Sequence, residues 1–75
     1  MSDSEDAYRT RHNRLATGWG ELNKGITAYS AMIRGLLAEA ETAWGVLSEE
    51  ERNGLSSSRE RDQEIRAEFE RRLAV

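Results

Sequence analysis

The chain has 75 residues, no cysteine and no proline, and its 14 acidic and 11 basic side chains give a formal net charge of −3. That length holds one domain at most, here taken as 1–75, and buries only ~60% of its unfolded surface, so its own core is marginal without a staple or a partner. Without cysteine there is no disulfide and no thiolate metal site; no apolar run approaches the ~20 residues of a membrane span, and the acidic balance disfavours broad phosphate-backbone binding.

Residues 1–4 open an acidic, polar N-terminus, Met1-Ser2-Asp3-Ser4-Glu5-Asp6. It has none of the basic-then-apolar character of a secretory signal. It is read as a disordered tail, and a cytoplasmic location is expected.

From Tyr8 onward, mostly apolar residues recur in alternating steps of four and three: Tyr8, His12, Leu15, Trp19, Leu22, Ile26, Tyr29, Ile33, Leu36, Ala40, Ala43 and Leu47. This is the phase of a helix face, with His12 the one clear exception. It predicts one long helix over 5–46, about 60 Å long at ~1.5 Å per residue. Gly18, Gly20, Gly25, Gly35 and Gly45 lie inside it, each costing up to ~1 kcal/mol relative to Ala. Thr17-Gly18-Trp19-Gly20 has the composition of a break, and Asn23-Lys24-Gly25 that of a helix C-cap. The apolar phase nevertheless crosses both without shifting, which favours a continuous helix kinked near 18–25 at most. From Ile33 a second apolar row, Leu37, Ala40, Trp44 and Leu47, widens the face.

Ser48-Glu49-Glu50-Glu51 reads as a capping box opening a short helical turn over 48–53, which Asn53-Gly54 stops. Ser57 with Glu60 offers a second box. The segment 58–73 reads as a second helix with a thin stripe of Ile65, Phe69 and Leu73.

The fold class is therefore all-α: a long N-terminal helix and a shorter returning helix form a helical hairpin. The returning helix covers the wide half of the long one. The narrow seam of Tyr8, Leu15, Trp19, Leu22 and Ile26 is left without an intrachain partner, which predicts a coiled-coil-like homodimer packed seam to seam.

Two features stand out for binding. Thr17-Gly18-Trp19-Gly20-Glu21-Leu22 echoes Thr42-Ala43-Trp44-Gly45-Val46-Leu47 as T-x-W-G-x-L, 25 residues apart. A Trp beside a Gly combines a large ring with room for close backbone approach, so Trp44 is a candidate partner anchor. Arg9, Arg11, His12 and Arg14 form the basic cluster, and its three arginines are candidate partner contacts. A solvated flank of the seam or an inter-subunit ion pair is the simpler account of them, since their side chains spread over more than half the helix circumference. His12 has only Tyr8, Arg9, Leu15 and Ala16 at helical ligand spacing, which is no metal set. Glu60, Glu64 and Glu68, interleaved with arginines, read as a solvated face with surface ion pairs.

No nucleophile–base constellation, phosphate loop or metal spacing is present in the sequence. The expectation is a protein that is not an enzyme and holds no cofactor or metal. It would be a small helical protein-binding module, a regulator, adaptor or inhibitor of a larger protein partner, of the kind found among phage- or plasmid-type accessory proteins. The alternatives are a nucleic-acid-binding dimer using its N-terminal arginines, and a structural or assembly protein.

Overall fold

The computed structural model describes residues 2–73. Its elements are α1 (Asp3–Asn23), a single 3-10 turn (Thr27–Tyr29), α2 (Ser30–Val46), α3 (Glu49–Gly54) and α4 (Ser56–Leu73), so the described chain is all-α. No helix among these residues is long and apolar enough to cross a membrane.

The continuous helix over 5–46 does not form. The chain reverses after Asn23, and the cause is local. Gly25 sits at φ +101°, in the left-handed region. Its N–H bonds to the Leu22 carbonyl at 3.0 Å, and that of Ile26 to the Glu21 carbonyl at 3.1 Å. These are the paired bonds of a Schellman cap, which glycine permits because it has no Cβ to clash in that conformation. The apolar phase survives because Leu22 and Tyr29 are seven residues apart, almost two helical turns, so a reversal between them leaves the spacing intact.

The start of α1 also lies earlier than expected. Asp3 and Ser4 are helical, and Ser2 caps them by accepting from the Glu5 N–H at 3.1 Å. Of the expected tail, Met1 lies outside the described residues. Three acids in the first turn, Asp3, Glu5 and Asp6, complement the helix dipole. The Ser48 capping box forms as read: Glu51 N–H donates to Ser48 Oγ at 3.2 Å, and Ser48 N–H to Glu51 Oε1 at 2.8 Å. The Ser57 box does not. Only Leu55 separates α3 from α4, so Ser57 lies inside α4 and cannot cap it.

α1 and α2 run antiparallel. Gly18 meets Tyr29, Ile33 and Leu36, whereas Tyr8 meets Trp44. α4 packs across one side of this hairpin, parallel to α1, with Asp62 beside Tyr8 and Arg72 beside Asn23. The main core is Leu15 and Trp19 of α1, Ile33, Leu37 and Ala40 of α2, and Ile65 and Phe69 of α4. A second cluster at the other end joins Tyr8, Ala43, Leu47 and Leu55. Three helices of one chain thus share the burial assigned from sequence to two helices and a second copy.

Candidate functional site

The residues picked out for a dimer seam fall mainly in the chain's own core. Tyr8 and Leu15 are completely buried, Trp19 is buried, and Leu22 is half-buried against the same cluster. Ile26 is 45% exposed on the reversal. The expectation that the seam lacks an intrachain partner is corrected for Tyr8, Leu15, Trp19 and Leu22, which pack within the chain's own core; Ile26 stays outside it.

Tyr8 leads to the most buried polar group in the described chain. Asp62, 4% exposed, takes a hydrogen bond from the Tyr8 hydroxyl on Oδ2, while His12 Nδ1 lies 2.6 Å from Oδ1. A buried carboxylate is tolerated only when its oxygens are satisfied, and here α1 satisfies both. Burial, and then the Asp62 carboxylate to which it donates, push the Tyr8 phenol well above its ordinary value. The arrangement fastens α4 to α1. Asp62 was missed from sequence, although a signal exists: it stands three residues before Ile65 and seven before Phe69, in phase with the apolar stripe of α4. His12 is the polar exception on one stripe and Asp62 on the other, and the two exceptions bond to each other.

The T-x-W-G-x-L echo also resolves into fastening. The Arg72 guanidinium of α4 lies 4.6 Å from the Trp19 ring centroid and donates to Asn23 Oδ1 at 2.6 Å. The Arg59 guanidinium lies 5.1 Å from the Trp44 ring and grips Glu41 with both terminal nitrogens, at 2.6 and 3.1 Å. That grip holds the Glu41 carboxyl below its usual range. Each Trp therefore carries an arginine from one end of α4, a cation–π contact combined with a charge-assisted bond. Arg52 completes the Trp44 end, 5.6 Å from the ring and donating to the Trp44 and Gly45 carbonyls at the C-terminus of α2. The expected close approach at the paired glycines does not occur, since a Cβ on Gly20 or Gly45 would meet nothing within 4 Å. The crowded glycine is Gly18, where a Cβ would stand 3.1 Å from Leu36 Cδ1 and 3.3 Å from Tyr29 Cδ1.

The basic cluster is not gathered into one patch. Arg9 lies 3.8 Å from Glu5, Arg11 is half-buried and donates to the Ala7 carbonyl at 3.2 Å, and Arg14 is exposed. Arg9 and Arg14 diverge by about 140° around α1 at 100° per residue. Arg11 and Arg14 do share one feature: both line the open side of the hairpin, opposite α4.

That open side is a cleft between α1 and α2. One half, about 550 Å³, has Ala7 and Arg11 on the α1 wall and Ala38, Glu39, Thr42 and Val46 on the α2 wall. The other half, about 460 Å³, has Arg14, Thr17 and Gly18 facing Tyr29, Met32 and Leu36. Met32 at 51% and Val46 at 67% exposure, two of the large apolar side chains left in solvent, stand at its opposite ends. Continuing from Ala38 and Thr42 of the cleft wall, the outward face of α2 is exposed at Ala31, Gly35 and Gly45 and carries little charge.

Among the described residues no group of three or more His, Cys, Asp or Glu side chains is placed to hold a metal ion. No family model, no curated protein and no solved structure matches the chain.

Proposed function

We propose that this chain is a non-enzymatic helical protein-binding module, a regulator, adaptor or inhibitor that works by occupying a surface of a larger protein. The observation that supports the reading is the open α1–α2 cleft. Its floor is apolar and small, its two ends carry exposed Met32 and Val46, and its walls carry a few charges able to orient a ligand. A helix laid in such a groove buries its apolar face at i, i+3, i+4 and i+7 spacing while its flanks meet the wall charges. The buried Asp62, His12 and Tyr8 group and the two tryptophan–arginine pairs hold α4 on the far side, so the chain's own third long helix does not close the cleft.

The test is site-specific crosslinking in the source cells. A photoreactive side chain at Ala38, inside the cleft, is expected to give a discrete adduct with a larger protein, lost in the Thr42→Arg variant. The same probe at Glu60, exposed on α4, is expected to give none. Equal labelling at both positions, or no adduct at Ala38, counts against the cleft as the binding face.

A further inference from the structure

Resting on that reading of the cleft, we infer that in the free protein the cleft is covered by a second copy of the same chain, in a pair whose two-fold axis runs along the cleft. Charge is the first reason. The walls carry two acids, Asp3 and Glu39, against two bases, Arg11 and Arg14. The cleft is therefore neutral on a chain whose net charge is −3, and it can face itself without net repulsion.

The arrangement of those charges is the second reason. Arg11 on the α1 wall and Glu39 on the α2 wall line the same half of the cleft, at the same height along the bundle, and no ion pair joins them among the described residues. A two-fold axis along the cleft keeps heights unchanged and lays α1 of each copy over α2 of the other. Each Arg11 then meets the second copy's Glu39, and the four side chains alternate in sign around the axis. The same operation sets α1 antiparallel to the second copy's α2, which opposes their dipoles favourably. It also lays Met32 over the second copy's Gly18 half of the cleft and Val46 over its Ala7 half, removing both from water.

Size is the third reason. The chain exposes 4882 Å² of accessible surface, so the ~800 Å² per partner that a stable interface buries is about a sixth of it, the share of one broad side. Because self-association and capture of a larger protein use the same face, they compete.

Sedimentation velocity on the full chain, from micromolar to near-millimolar concentration, tests the pairing, with circular dichroism to verify helicity. The wild type is expected to reach twice the monomer mass and stop there. Ala38→Arg and Thr42→Arg are each expected to remain monomeric with native helicity. Arg11→Glu and Glu39→Arg alone should each weaken association by roughly tenfold or more, and the double charge swap should restore it. A wild type that stays monomeric throughout overturns the pairing, and the Ala38 adduct with a larger protein would then still stand for the cleft. A dimer indifferent to Ala38→Arg and Thr42→Arg places the interface elsewhere. A dimer broken by those two, but whose loss on Arg11→Glu or Glu39→Arg is not rescued by the double swap, overturns the two-fold axis along the cleft.

Discussion

On the side of the α1–α2 hairpin that α4 covers, contact is made by few apolar side chains and many polar fasteners. Ile65 and Phe69 enter the core, and around them Asp62 holds Tyr8 and His12, Arg59 holds Glu41 and Trp44, and Arg72 holds Asn23 and Trp19. On the opposite side the same two helices present alanine, glycine, threonine, methionine and valine with a few charges. A very polar helix such as α4 cannot be held by area alone, so its docking is specified residue by residue. The open side has no such specification within the chain, and its shape and lack of net charge leave it suited to a non-covalent neighbour. The difference separates the surface that completes the fold from the surface the fold leaves open.

The largest effect expected from breaking the covered side comes from its core. Leu15→Ala or Phe69→Ala should remove about 3–5 kcal/mol, enough to abolish the cooperative urea transition of a domain this small. Retention of a full transition with either variant would show that α4 docking contributes little to stability.

Next is the buried carboxylate. Asp62→Ala leaves Tyr8 and His12 without their acceptor and should lower stability by about 1–3 kcal/mol in urea melts. Replacing Asp62 and His12 together by leucine should recover much of that loss, since two apolar groups at a buried site leave fewer unmet partners. Recovery no better than the sum of the single changes would place the fastening elsewhere.

Glycine substitutions sharpen the picture of the open side, setting its outward face against the floor of its cleft. Gly35 and Gly45 have open space where a Cβ would stand, so Gly35→Ala and Gly45→Ala should each stabilise the helix by about 0.5–1 kcal/mol, seen as a higher Tm. Gly18→Ala should forfeit that gain, because Leu36 Cδ1 and Tyr29 Cδ1 must shift by a few tenths of an ångström to admit the Cβ. A rise in Tm at Gly18 would show that the hairpin packing yields easily.

The smallest effect concerns pH. Arg59 holds Glu41 below its ordinary value of 4.5, so the contribution of this pair is present above that pH and is lost as pH falls through the lower folded-state value. Glu41 is half exposed, and the loss should be a few tenths of a kcal/mol. Glu41→Gln should flatten the stability profile below about pH 4.5 by that amount, and an unchanged acid limb would assign no stability to the pair.

Much of the secondary structure was legible before any coordinates. The helical phase, the Ser48 capping box and the stripe of Ile65 and Phe69 all follow from short-range spacing. The Gly25 cap was visible too, yet the unbroken periodicity outweighed it. Periodicity records which side of a helix is buried and is blind to a reversal spanning two helical turns. Of the seam residues, Tyr8, Leu15 and Trp19 are buried and Leu22 is half-buried, whereas Ile26 is exposed on the reversal; the stripe could not name their partner, since the same spacing serves an intrachain neighbour or a second copy. Asp62 was passed over because a lone carboxylate among many surface acids becomes distinctive only when its phase is matched to His12 on another helix.

The sequence by itself determined that the chain is helical, where its strongest cap lies, and which residues seek burial, because these depend on neighbours within a turn or two. Only the tertiary structure decided that α2 returns along α1, that α4 is pinned by two tryptophan–arginine pairs and a buried carboxylate, and that the hairpin keeps one face open. Those outcomes depend on contacts between residues some 50 positions apart, such as Tyr8 with Asp62 and Asn23 with Arg72. Helical spacing fixes which way each side chain points on its own helix, but only packing decides what stands opposite.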